Sequence, residues 1–81
     1  MSTRREQADS ILRAFLSRAD KDATVPPQTS LYADGLGLDS LELAELSAML
    51  EDALGSDPFS EGLMPETVGE MLDYFEVAEA V

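Results

Sequence analysis

Asp39 and Ser40 stand where a glycine-punctuated loop meets a helix, and Ser40 is the hydroxyl whose setting points to chemistry. The chain contains no histidine to activate a serine and no cysteine to act as a nucleophile of its own. Ser-His-Asp catalysis is therefore excluded by composition. A chemical role for Ser40 is that of an attachment point. With Asp39 as the cap, Ser40 takes the first helical position, facing outward beside backbone N–H groups that have no intrahelical partner. An anion carried on its hydroxyl would sit at the positive end of the helix dipole. Gly35 and Gly37 are expected to let the loop turn sharply and to leave space around the serine. Serine is also common at helix starts for capping reasons alone, so the wider run of residues 31–46 must carry the argument.

Other chemistries fail on inspection. Residues 34–45 have the length of a calcium loop, but its third and fifth positions are Leu36 and Leu38. Gly35-Leu36-Gly37 lacks the third glycine of a dinucleotide fingerprint and follows no strand. Glu42 and Glu45 lie one turn apart, as carboxylates on a solvated helix face do. No metal site is expected. The absence of cysteine excludes both a disulfide framework and a zinc knuckle.

Three capping signatures place the elements around this junction. Thr3…Glu6, Asp39…Glu42 and Thr67…Glu70 each set a capping residue three positions before a glutamate. After the first, Ala8, Ile11, Leu12, Phe15, Leu16 and Ala19 recur at helical spacing. After the second come Leu43, Leu46, Leu50 and Leu54, with Gly55 as the stop. After the third come Val68, Met71, Leu72, Phe75 and Ala78. Asp57-Pro58 reads as a cap followed by proline at the first helical position, with Gly62 ending a short helix. No segment alternates as a strand would. The spacing thus predicts an all-α domain of four helices, long-long-short-medium. The connection over residues 20–38 is long for a compact domain, which marks it as functional or tied down. Leu31, Tyr32, Leu36 and Leu38 are the residues that could pin it.

Size and charge bound the rest. A chain of 81 residues makes one domain, residues 1–81, and buries about 60–65% of its unfolded surface. It has no apolar run near the ~20 residues of a membrane span, and no apolar segment follows the basic Met-Ser-Thr-Arg-Arg start as in a secretory signal. A soluble, cytoplasmic protein is expected. The net charge of −12 is segregated: Arg4, Arg5, Arg13, Arg18 and Lys21 all precede fourteen carboxylates that no base accompanies. Such a surface repels nucleic acid and steers basic partners toward itself.

Projected at 100° per residue, the second helix buries Leu43, Leu46, Leu50 and Leu54. Leu41, Glu45, Ala48 and Asp52 fall opposite, with Ala44 and Glu51 flanking. An exposed leucine beside Ser40, ringed by carboxylates, has the make-up of a docking patch for basic proteins. The expected docking residues are Leu41, Glu42, Glu45, Ala48 and Asp52.

The run over residues 31–46 closely resembles the phosphopantetheine-attachment motif of acyl carrier proteins. The core of that motif is Asp-Ser-Leu, here Asp39-Ser40-Leu41, and the likeness extends over nearly the whole chain. It implies a four-helix bundle of the acyl-carrier type with a short third helix. It further implies a 4'-phosphopantetheine arm on Ser40, delivered from coenzyme A by a phosphopantetheinyl transferase. Mg²⁺ is needed by the transferase, not by this protein. The arm's thiol would hold acyl groups as thioesters. The protein itself would be a monomeric carrier and not an enzyme, served by acyltransferases, ketosynthases and other acyl-processing partners. Leu38 before Asp39-Ser40 favours an acyl over a peptidyl carrier. The chain departs from housekeeping fatty-acid carriers at Ser47, Ala48 and residues 57–66. Those departures suggest a stand-alone carrier in polyketide or other specialised natural-product biosynthesis. Fatty-acid and aminoacyl or peptidyl carriers are the alternatives. An unmodified acidic protein-interaction module is the reading from another class.

Overall fold

The computed structural model describes residues 3–79, and side chains through residue 76. Its helices are α1 (Arg4–Arg18), α2 (Ser40–Leu54) and α3 (Val68–Glu79). All three begin at the expected caps. Thr3 and Glu6 form a reciprocal capping box on α1, as Asp39 and Glu42 do on α2. Thr67 Oγ1 accepts from Glu70 N at 3.1 Å before α3. α2 stops at Gly55, whose φ of 84° is the left-handed conformation a helix terminator adopts. α1 stops at Asp20, which takes φ 62° without being glycine, while Lys21 N donates to Leu16 O at 2.8 Å.

α1 packs against both α2 and α3. Ala8, Leu12, Phe15 and Leu16 meet Leu46, Leu50 and Leu54 from α2, and Val68, Met71, Leu72 and Phe75 from α3, in one buried cluster. Full burial of each large apolar side chain stabilises by about 1.5–3 kcal/mol, so these stripes, rather than helix propensity, hold the elements together. Arg5 adds surface pairing from α1 to α3, at 2.5 Å from Asp73 and 3.0 Å from Glu76. The side chain of Ala78, expected on the last stripe, lies outside the described residues.

The loop between α1 and α2 is anchored along its length. Leu31, Leu36 and Leu38 are buried in the core cluster, and Tyr32 packs against it. The Tyr32 hydroxyl donates to Pro65 O at 2.8 Å. Arg13 donates to the carbonyls of Ala23 and Val25. The loop also caps the last helix: Thr29 O and Pro27 O accept from Val68 N and Gly69 N, the first amides of α3. Those amides would otherwise lack partners. Gly69 permits the approach, because a Cβ there would lie 3.1 Å from Pro27 O.

The expected short helix after Asp57 is absent. Residues 58–62 form consecutive turns, so the described residues hold three helices rather than four. The cap itself is real, since Asp57 Oδ1 accepts from Ser60 N at 3.0 Å. Propagation fails because Gly62 turns left-handed at φ 83° within five residues, and Leu63 N closes back to Pro58 O at 3.0 Å. Too few residues lie between cap and stop to repay helix nucleation.

Candidate functional site

Asp39 fixes the junction. Its backbone is extended (φ −91°, ψ 177°), and Oδ1 accepts from Glu42 N at 2.8 Å. Glu42 Oε1 returns to Asp39 N at 3.1 Å. Ser40 follows as the first residue of α2, exposed, and no hydrogen bond engages its hydroxyl among the described residues. The hydroxyls of Thr24, Ser47 and Ser60 donate to carboxylates. Those of Ser30, Ser56 and Thr67 accept from Tyr32 N, Arg4 and Glu70 N. Ser40 is thus a reachable hydroxyl at the positive end of a fifteen-residue helix.

The two glycines before it serve the loop rather than the serine. A Cβ on Gly35 would stand 2.1 Å from Ser30 O, and one on Gly37 would approach Lys21 Nζ at 3.9 Å. Gly37 is also left-handed, at φ 71°. Gly35 is required by the close approach of Ser30, and Gly37 by its left-handed backbone. Their amides both donate to Tyr32 O, while Leu36 N and Leu38 N bond to Ser30 O and Leu31 O. The backbone leading to Ser40 is therefore held in place.

Along α2 the two faces separate as the helical projection required. Leu46, Leu50 and Leu54 are buried, and Leu43 packs partly against the core. Leu41 is 68% exposed, and Glu45, Ala48 and Asp52 are exposed as well. Ala44, Ser47, Ala48, Glu51 and Asp52 line a shallow depression on this helix. Glu42 differs from the other acidic residues of the patch. It is half-buried, bound into the capping box, and 3.8 Å from Lys21 Nζ.

Sequence reasoning missed Leu63 and Met64, which are 50% and 68% exposed. Leu38 N bonds to Leu31 O, and Leu31 N to Glu66 O, which brings this stretch to the same end of the bundle as the start of α2. The available signal was an apolar pair between Gly62 and Pro65 that belongs to no helical stripe.

Among the described residues, no group of three potential ligands is placed to hold a metal ion, and no helix is long and apolar enough to cross a membrane. The family model for the phosphopantetheine attachment site matches residues 9–75. The chain belongs to that family. Its members carry a covalently attached 4'-phosphopantetheine group, and this chain is a carrier protein of that kind. The site fits such a group: the start of α2 combines an accessible hydroxyl with helix-terminal amides suited to an anion. No solved structure matches the carrier.

Proposed function

We propose that Ser40 is the attachment residue and that the chain is an acyl carrier, read as one domain over residues 1–81. The observation that supports this best is the coincidence of the family match with an accessible, unengaged serine at the first position of a capped helix, within Asp39-Ser40-Leu41. Ser40 Oγ would lose its proton and form a phosphodiester with the phosphopantetheine half of coenzyme A, as the coenzyme's pyrophosphate bond breaks and adenosine 3',5'-bisphosphate leaves. When bound, the arm supplies a thiol that carries acyl groups as thioesters, which this cysteine-free chain cannot supply itself. Asp39 holds the helix start rigid during transfer, and the buried loop residues fix the approach to it.

The carrier catalyses nothing in this reading. It raises the effective concentration of a tethered intermediate at each docked enzyme. Leu41, Glu45, Ala48 and Asp52 form the docking face for the transferase and for acyltransferases, ketosynthases and related partners with basic surfaces. Glu42 contributes mainly by holding the cap. The small Ala48 and polar Ser47 on α2, with the turn that replaces a third helix, support a specialised pathway such as polyketide assembly over fatty-acid synthesis or an aminoacyl carrier.

One experiment tests the class. Incubation with coenzyme A, Mg²⁺ and a broad-specificity phosphopantetheinyl transferase should raise the intact mass by one phosphopantetheinyl group. Ser40→Ala should abolish the gain while leaving the helical circular dichroism intact. No mass gain, under conditions that load a control carrier, would replace this reading with that of an unmodified acidic interaction module.

A further inference from the structure

Four of the five bases are engaged away from the attachment end. Arg5 pairs with Asp73 and Glu76, and Arg13 with Asp9 and two loop carbonyls. Arg4 donates to Ser56 and lies over the Phe75 ring at 5.9 Å. Arg18 reaches Met49 Sδ at 3.3 Å. Lys21 alone turns toward the start of α2. Its ammonium lies 3.4 Å from Gly37 O and 3.8 Å from Glu42 Oε1. That same Glu42 oxygen accepts from Asp39 N at 3.1 Å. One carboxylate oxygen therefore separates the ammonium from the backbone that leads into Ser40.

Neither contact of Lys21 is tight. A 3.4 Å bond to a carbonyl and a 3.8 Å ion pair are at the long end of their ranges, and Glu42 is already engaged by the Asp39 amide. The backbone around the ammonium is firmer. Asp20 takes a left-handed turn just before Lys21, and Gly37, whose carbonyl the ammonium reaches, is itself left-handed at φ 71°. Attachment at Ser40 would add a further negative charge beside Asp39 and Glu42, in a chain with no base after Lys21.

We propose that Lys21 is a positioning residue for the group on Ser40: its ammonium leaves the Gly37 carbonyl and the Glu42 carboxylate for the phosphodiester oxygens, and so orients the root of the arm. The inference rests on the attachment reading above. A lysine suits the task better than an arginine fork would, because its ammonium is a point charge on a flexible stem that can exchange acceptors without a fixed planar geometry.

The test compares wild type, Lys21→Met and Lys21→Arg, each before and after loading with coenzyme A and a transferase. Intact mass first establishes whether Ser40 is loaded. In wild type, loading should shift the Lys21 side-chain Cε and Nζ resonances. The ³¹P resonance of the loaded protein should move in Lys21→Met and return toward the wild-type position in Lys21→Arg. Loading should also lower the melting temperature of Lys21→Met by about 1–4 °C more than that of wild type, as expected for loss of one exposed charge contact in a domain of this size. If Lys21 merely ties the loop, both forms of Lys21→Met lose the same stability, and neither the Lys21 nor the ³¹P resonances respond. That result with a normal mass gain overturns this inference alone. Absence of a mass gain overturns it together with the attachment reading.

Discussion

Ser47 Oγ on α2 donates a 2.8 Å hydrogen bond to Asp57 Oδ1, a fully buried carboxylate at the head of the 57–62 turn. Asp57 also accepts from Ser60 N at 3.0 Å and from Ser60 Oγ at 2.6 Å. Ser60 Oγ lies 2.9 Å from Glu51 Oε2 as well, and its single proton can serve only one of the two carboxylates at a time. The polar residue on α2 and the unusual segment after it are thus one feature. Ser47 is polar because it satisfies a charge that the turn buries.

Removing that carboxylate takes the acceptor from the Ser47 hydroxyl and from the Ser60 and Phe59 amides, while the Ser60 hydroxyl can turn to Glu51. Asp57→Ala should cost about 2–4 kcal/mol, and Ser47→Ala about 1–2 kcal/mol, given the usual strength of hydrogen bonds to charged groups. Urea unfolding followed by circular dichroism measures both, and the double mutant should cost clearly less than the two singles combined. Strict additivity would show that the hydrogen bond contributes nothing of its own.

Salt and mild acid should both relieve the charge of the chain. Fourteen carboxylates without a base after Lys21 repel one another, so added NaCl should raise the melting temperature, and Mg²⁺ should do so at lower concentration. Mild acidification lowers the net charge and should also stabilise. Asp57 reverses the trend further down. Burial pushes its carboxyl up, but hydrogen bonds from the Ser60 side chain and backbone, Ser47 and the Phe59 amide outweigh this and hold it below its ordinary value. A depressed folded-state pKa gives stability that is present above the unfolded value, about 3.9, and is lost as pH falls through the folded one. The melting temperature should therefore rise from pH 7 toward about 5 and fall below about 4. In Asp57→Ala the acid limb should be shallower. A monotonic profile in wild type would contradict this balance.

Local spacing made the helices legible, and long-range contact made the rest opaque. Thr3, Asp39 and Thr67 could be read as caps because a cap and its partner lie three residues apart. The faces of α2 could be read because Leu46, Leu50 and Leu54 repeat at helical period. At Asp57 the same rules found the cap and the Gly62 stop but wrongly read a helix between them, because the few intervening residues cannot repay helix nucleation. The role of Gly35 depended on which atom the loop folds against, Ser30 O, and that of Gly37 on the left-handed turn the loop takes there. The contacts of Lys21 depend on the path of the 21-residue connection over residues 19–39. No periodicity encodes that path.

Asp20 stores strain that can be relieved. It occupies a left-handed conformation at φ 62°, where a side chain is unfavourable and glycine is the usual choice. Asp20→Gly should raise stability by about 0.5–1 kcal/mol and also remove a negative charge; Asp20→Asn controls for the charge. Gly35→Ala should act in the opposite direction, because its Cβ would meet a backbone carbonyl oxygen at 2.1 Å that cannot step aside. Thermal melts of the three variants rank them. A neutral Gly35→Ala would mean that the 30–36 turn yields more easily than its hydrogen bonds suggest.

Leu41 and Leu46 separate docking from folding. They lie five residues apart on α2, Leu41 68% exposed and Leu46 fully buried. Leu46→Ala should cost about 2–5 kcal/mol as a core truncation. Leu41→Ala removes little buried surface and should cost under about 1 kcal/mol. It should nevertheless slow phosphopantetheinyl transfer, mainly by raising KM, because the lost contact is one made to the partner. Glu45→Lys should have the same kinetic effect through reversal of the local field, and the effect should shrink as salt is added. The deciding measurement is transfer rate per folded molecule, read by mass spectrometry over time for each variant. If Leu41→Ala unfolds the chain while transfer per folded molecule is unchanged, the two faces have been assigned the wrong way round. If it changes neither, recognition must lie elsewhere at this end of the bundle, and the exposed pair Leu63 and Met64 becomes the next site to alter.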